Sequence, residues 1–135
     1  FGNGEKMIFD IGSGSMRNIN ALMIPAEYLT KLLKVFATDH WADLNALWAG
    51  GWTAGRPVPL EVWGPSGARE DMGTAYAIDG FKRAFNWDYQ TRAFKITPIP
   101  GDITVHEFDY RGENAVIYDR NGILVRSIPA IHAGD

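Results

Sequence analysis

Cysteine is absent from the 135-residue chain. That excludes disulfides, thiolate metal ligands and cysteine nucleophiles. Histidine is scarce, with three in all, so any imidazole chemistry rests on His40, His106 or His132. No basic cluster stands out. Lys31 and Lys34 flank one short segment, Lys82–Arg83 sit on another, and the net charge is −3. A phosphate-backbone binder needs a basic face, so nucleic-acid binding is not expected. No apolar run approaches the ~20 residues of a membrane-spanning helix. The opening residues lack the charged-then-apolar pattern of a leader, and the expectation is a soluble, cytoplasmic protein. Repeats, linkers and low-complexity tracts are also missing.

What is present reads as globular. Apolar residues make up 46% and charged residues 21%, a balance that favours a packed core over disorder. The length suggests one domain, 1–135, with room for a real core. Five Trp, five Tyr and seven Phe favour large packed surfaces or an interface.

The pattern of elements alternates. Asn3–Gly4 signals a tight turn, with a strand at Met7–Ile11 after it and only Phe1 and Gly2 before it; a start in mid-hairpin is expected. Gly12–Ser15 is a small-residue turn. Pro25 opens a helix to about Leu33, and Lys34–Thr38 reads as a buried strand. Asp43–Trp52 reads as a helix, with Trp41, Leu44, Trp48 and Trp52 along its stripe. Leu60–Trp63 is a strand, Gly64–Gly67 a turn, and Ala68–Phe85 a long helical segment. Ile103–Tyr110, Asn114–Arg120 and Ile123–Ile131 read as three closing strands, punctuated by Gly112 and Asn121–Gly122. Strands alternating with helices predict an α/β layer that ends in an antiparallel meander.

Candidate sites follow from residue chemistry. Asp39–His40 lies at a strand-to-helix junction. Asp39 either caps the helix or joins His40 as a carboxylate–imidazole pair suited to a divalent cation. Asp10 closes a strand before a Gly-Ser turn, as an Asx-type turn residue or as a carboxylate that orients a metal ligand. His132 ends a strand, where α/β folds place ligands, although such a His is more often structural. His106 is read as a structural strand residue, Ser66 as a helix N-cap, and Asp135 is given no role. Gly12–Ser13–Gly14 lacks the downstream Lys of a P-loop, and no Gly-x-Ser-x-Gly elbow occurs.

Taken in order, "MIFDIGSGS", "KVFATDHWADL", "LEVWGPSG" and "VRSIPAIHAGD" resemble the metallo-β-lactamase-fold hydrolases, in the branch that includes ribonuclease Z and arylsulfatase-like enzymes. The resemblance implies an α/β fold: one half of an αββα sandwich, with a mixed sheet and helices on one face. It also implies a di-zinc hydrolase of a small ester, such as a phosphodiester or sulfate ester. The family motif is His-x-His-x-Asp-His at a strand end. Matched to it, Asp39 and His40 fall on the final Asp-His as metal ligands, with Asp39 also catalytic. His132 falls on a later strand-end metal ligand, and Asp10 on the supporting carboxylate. Thr38 runs directly into Asp39, so the match is most economical if His-x-His-x is absent between them. Two accounts stay open. Either a longer protein completes the site, or the chain is a non-catalytic half-fold that pairs with a second copy as a homodimer to cover its sheet face.

Overall fold

The computed structural model describes residues 1–131. Four strands form one sheet in the order β1 (Lys6–Phe9), β2 (Leu32–Phe36), β3 (Leu60–Pro65), β4 (Ile103–Phe108). Every neighbouring pair is parallel. Each crossover carries helical structure, and the helices pack into one core cluster against one face of the sheet. The crossovers hold α1 (Ser15–Ala21), α2 (Leu44–Thr53), and α3 (Thr74–Ala84) followed by α4 (Asn86–Ala93). The strands β5 (Ala115–Arg120) and β6 (Ile123–Ser127) form a separate antiparallel hairpin. Its turn is Asn121–Gly122, both at positive φ, as a two-residue hairpin turn requires.

The two faces of the sheet have different chemistry because side chains alternate along a strand. Val35, Leu60, Val62 and Ile103 point to the helical side and pack with Leu44, Leu47, Trp48, Trp52 and Ile78 into the main core. The opposite face carries an aromatic row. Phe9, Phe36, Trp63 and His106 are direct partners across the four strands. Their rings stack at centroid spacings of 4.9, 5.0 and 4.2 Å. The hairpin lies over this row, with Tyr118 edge-on to Phe36 and Trp63 and Ile123 in the same cluster. At the edge strand the row is open, and Phe9 is 58% exposed.

Several expectations are corrected in detail. The segment after Pro25 is a 3-10 helix, Ala26–Lys31, and Leu32 already belongs to β2. A helix, α1, follows the Gly12–Gly14 turn where none was expected; Met16 and Ile19 supply its inward face. The long segment Ala68–Phe85 breaks into a 3-10 turn (Glu70–Met72) and α3, and a further helix, α4, follows it where none was expected. β4 adds to the parallel sheet rather than starting a meander. Its alternation resembles that of a half-covered strand, but the α3–α4 crossover carries the chain back to the same end of the sheet, which gives parallel pairing. Asn3–Gly4 does turn, with Gly4 N–H donating to Phe1 O at 3.0 Å. The strand that follows then pairs in parallel with β2.

A buried polar seam fastens α2 to the segment before β4. Trp48 Nε1 donates to Gly101 O at 2.9 Å and Trp52 Nε1 to Thr97 O at 2.9 Å. Arg56, 1% exposed, donates through Nη2 to Pro100 O (2.8 Å) and Trp48 O (3.2 Å), and through Nε to Val58 O (3.2 Å). Burial lowers the Arg56 pKa to about 10. Gly101 must lack a side chain because a Cβ there would overlap the Trp52 ring.

Candidate functional site

The carboxyl ends of β1 and β2 bring Asp10 beside Thr38, Asp39 and His40. In open α/β sheets this is the end at which ligands bind, because the strand-to-helix loops converge there. β1 ends at Phe9, and Asp10 then takes a left-handed backbone (φ 58°), costly for a residue with a Cβ. Its N–H donates to Phe36 O at 2.8 Å, which anchors the turn to β2. Its carboxylate accepts the Thr38 N–H at 2.7 Å and faces the Thr38 hydroxyl at 3.0 and 3.1 Å. This is a bridge between two strands, not the local Asx turn that was one reading of Asp10.

Asp39 and His40 follow at once. Thr38 Oγ1 lies 3.1 Å from Asp39 Oδ1, and His40 Nδ1 lies 3.0 Å from the same oxygen and 3.7 Å from Asp10 Oδ2. The His40 side chain is 60% exposed. Backbone contacts brace the pair: Ile11 N–H donates to His40 O at 3.0 Å, and Gly12 packs so closely that a Cβ there would touch the His40 Cβ. Trp41 Nε1 donates to Thr38 O at 2.8 Å.

Asp39 does not cap α2. That helix starts at Leu44, and Asp43 holds its N-cap position. The Asp43 carboxylate accepts the Met16 N–H of α1 at 2.9 Å, so one acidic residue ties the starts of two helices together. The sequence held a signal for this, an Asp just before the apolar run of α2, although its acceptor role toward α1 is a long-range contact. Ser66 is likewise not a helix cap; its hydroxyl accepts the Tyr110 N–H at 3.3 Å. The α3 amino terminus is served by Glu107, whose carboxylate accepts the Ala75 N–H at 2.7 Å. His106 sits far along the aromatic row, with Nε2 2.8 Å from Glu61 Oε2, the structural role expected of it. His132 lies outside the described residues.

A zinc ion with catalytic function takes three protein ligands and an open position. Among the described residues no three His, Cys, Asp or Glu side chains form a group that could hold a metal. The reason is visible at the junction: the Asp10 oxygens turn to Thr38, and His40 Nδ1 turns to Asp39. These donors face one another rather than a common open point, and they do not fit a zinc centre by themselves. No helix among the described residues is long and apolar enough to cross a membrane.

The class that the structure shows is α/β, a four-stranded parallel sheet packed against helices with a separate β-hairpin. The particular likeness is to ribonuclease Z, a member of the metallo-β-lactamase superfamily, and it is distant. The chain is 30% identical to ribonuclease Z of Mycobacterium marinum over 135 residues, covering 96% of this chain and 45% of that protein. It is 28% identical to ribonuclease Z of Lactiplantibacillus plantarum over 125 residues, covering 82% and 39%. The chain thus spans less than half the length of these curated relatives. No protein-family model matches it.

Proposed function

We propose that this chain is the site-bearing part of a metallo-β-lactamase-type hydrolase that acts on an ester of the phosphodiester or sulfate-ester class. The observation that carries the reading is the convergence of Asp10, Asp39 and His40 at the carboxyl ends of β1 and β2, in a chain similar to two ribonuclease Z proteins over most of its length. In this reading Asp39 and His40 stand at the reacting end and Asp10 supports them. The Asp39 contact holds His40 through Nδ1, which leaves Nε2 on the outward side of the ring to meet a ligand or exchange a proton. Zinc, two ions by resemblance, would need ligands beyond the described residues, with His132 a candidate for one.

Turnover of a chromogenic phosphodiester, measured beside the zinc content of the protein, tests the reading. His40→Ala should abolish turnover, and so should His132→Ala. Unchanged turnover in either variant removes that residue from the site.

A second reading is favoured by the open end of the aromatic row. Phe9 is 58% exposed on an edge strand, an apolar surface that a second copy of the chain would cover. On this reading the chain is a non-catalytic half-fold that forms a homodimer. A monomer by sedimentation at tens of micromolar would discard it.

A further inference from the structure

The two carboxylates of the strand-end cluster share one neutral group. Thr38 gives its N–H to Asp10 at 2.7 Å, and its hydroxyl oxygen lies 3.0 and 3.1 Å from the Asp10 carboxylate and 3.1 Å from that of Asp39. A hydroxyl carries one proton, so it can be donated to only one of these oxygens at a time. His40 Nδ1 lies against both acids, 3.0 Å from Asp39 Oδ1 and 3.7 Å from Asp10 Oδ2. Asp10 is further fixed by its left-handed φ and its N–H to Phe36 O, and Thr38 by the Trp41 indole Nε1–H on its carbonyl.

We propose that Thr38 is the positioning residue of this cluster. Its hydroxyl sets the separation of Asp10 and Asp39 and, through Asp39, the orientation of the His40 imidazole. It does so as a side chain in contact with both carboxylates. Thr38 directly precedes Asp39, and the parallel pairing of β1 and β2 brings Asp10 to it, so the residue can touch both acids. Only the consequence for turnover rests on the hydrolase reading; the positioning role rests on the contacts of Thr38.

The test is by nuclear magnetic resonance on the whole chain. Thr38→Val removes the hydroxyl at nearly constant shape, and Thr38→Ser keeps it. The His40 ring signals should move in Thr38→Val and return to their wild-type positions in Thr38→Ser. Coincident His40 signals in wild type and Thr38→Val would overturn the proposal. One arm needs no variant. In wild type the Thr38 amide, hydrogen-bonded to a carboxylate, should exchange at least about tenfold more slowly than an open loop amide, and exchange at the open rate would overturn the role. Absence of phosphodiester turnover in wild type counts against the hydrolase reading alone, since the resonance measurements decide the role of Thr38. If turnover is present, Thr38→Val should lower kcat with KM little changed, and Thr38→Ser should restore it.

Discussion

Arg56 offers the sharpest test of how this fold is held together, because two large effects oppose each other there. The guanidinium is 1% exposed, and among the described residues it has only carbonyl oxygens as hydrogen-bond partners. Burial lowers its pKa from the usual guanidinium range to about 10, which corresponds to a desolvation cost of about 3 kcal/mol at 1.36 kcal/mol per pKa unit. Buried charges can be replaced by apolar groups at no loss when that cost dominates. Here the partners are unequal. Val58 is exposed, so its carbonyl can turn to water. The Trp48 carbonyl lies inside α2 and has a helical N–H as a further donor. Pro100 is buried, and its carbonyl depends on the 2.8 Å bond from Nη2.

Hydrogen bonds from a charged donor contribute about 1.5–3 kcal/mol each, and a buried carbonyl left unpaired costs about 1–3 kcal/mol. Three such bonds outweigh the cost of desolvation. Arg56→Met, which keeps much of the stem and removes the head, should therefore destabilise the protein by about 3 kcal/mol, with Tm lower by roughly 10 °C for a chain of this size. Arg56→Lys keeps the charge but not the fork, and it should fall between the two. Urea unfolding followed by tryptophan fluorescence measures both variants. If Arg56→Met proves as stable as wild type, or more so, desolvation of the guanidinium outweighs its hydrogen bonds, and the Pro100 carbonyl does not need it.

Two further outcomes follow from contacts between distant parts of the chain. Glu5 is held below the usual carboxylate range by hydrogen bonds from Lys34 and Asn121, which outweigh the effect of burial. In acid the unfolded chain takes up this proton first, so the clasp contributes fully above about pH 4.5 and is lost as pH falls through the lower folded value; Glu5→Gln should flatten that part of the pH–stability curve, and an unchanged acid limb would discard the clasp. Trp63 is the middle ring beneath the hairpin, stacked on Phe36 and His106 and met by Tyr118. Trp63→Ala should cost about 3–5 kcal/mol, with amides of Ala115–Ser127 losing hydrogen-exchange protection more than those of α2, and equal loss in both would refute a separately docked hairpin.

The parts of the fold legible in the sequence are those whose signal is local. β2, β3 and α2 fall within a residue or two of their expected positions because the apolar runs from Lys34 and Leu60, and the Leu44–Trp48–Trp52 stripe, are bounded by turn residues. α1 is hidden because seven residues with two inward apolar side chains give little periodicity. α4 is hidden for a related reason: Trp87 and Phe94 face solvent while Tyr89 and Ala93 face the core, so aromatic residues on both sides blur the stripe. The placement of β4 beside β3 is not readable from residues 103–110 at all. An alternating strand reads the same in a hairpin or a parallel sheet, and the length of the crossover before it decides which.

The strand-end cluster shows the same division between local and distant signals. Asp39 and His40 are neighbours in sequence, and a carboxylate beside an imidazole at the end of an apolar run is enough to single them out. Asp10 stands out too, but as a turn residue or a distant support. Its contact with Thr38, 28 residues away, depends on β1 and β2 lying side by side in parallel, so that their carboxyl ends meet. Thr38 itself carries no signal, since a threonine after a strand is ordinary. Its importance arises only once Asp10 and Asp39 both approach its hydroxyl, which has one proton to give. A junction that reads as a shortened metal motif thus acquires a physical centre of its own. The response of the His40 ring to Thr38→Val, with recovery in Thr38→Ser, is the measure of that centre.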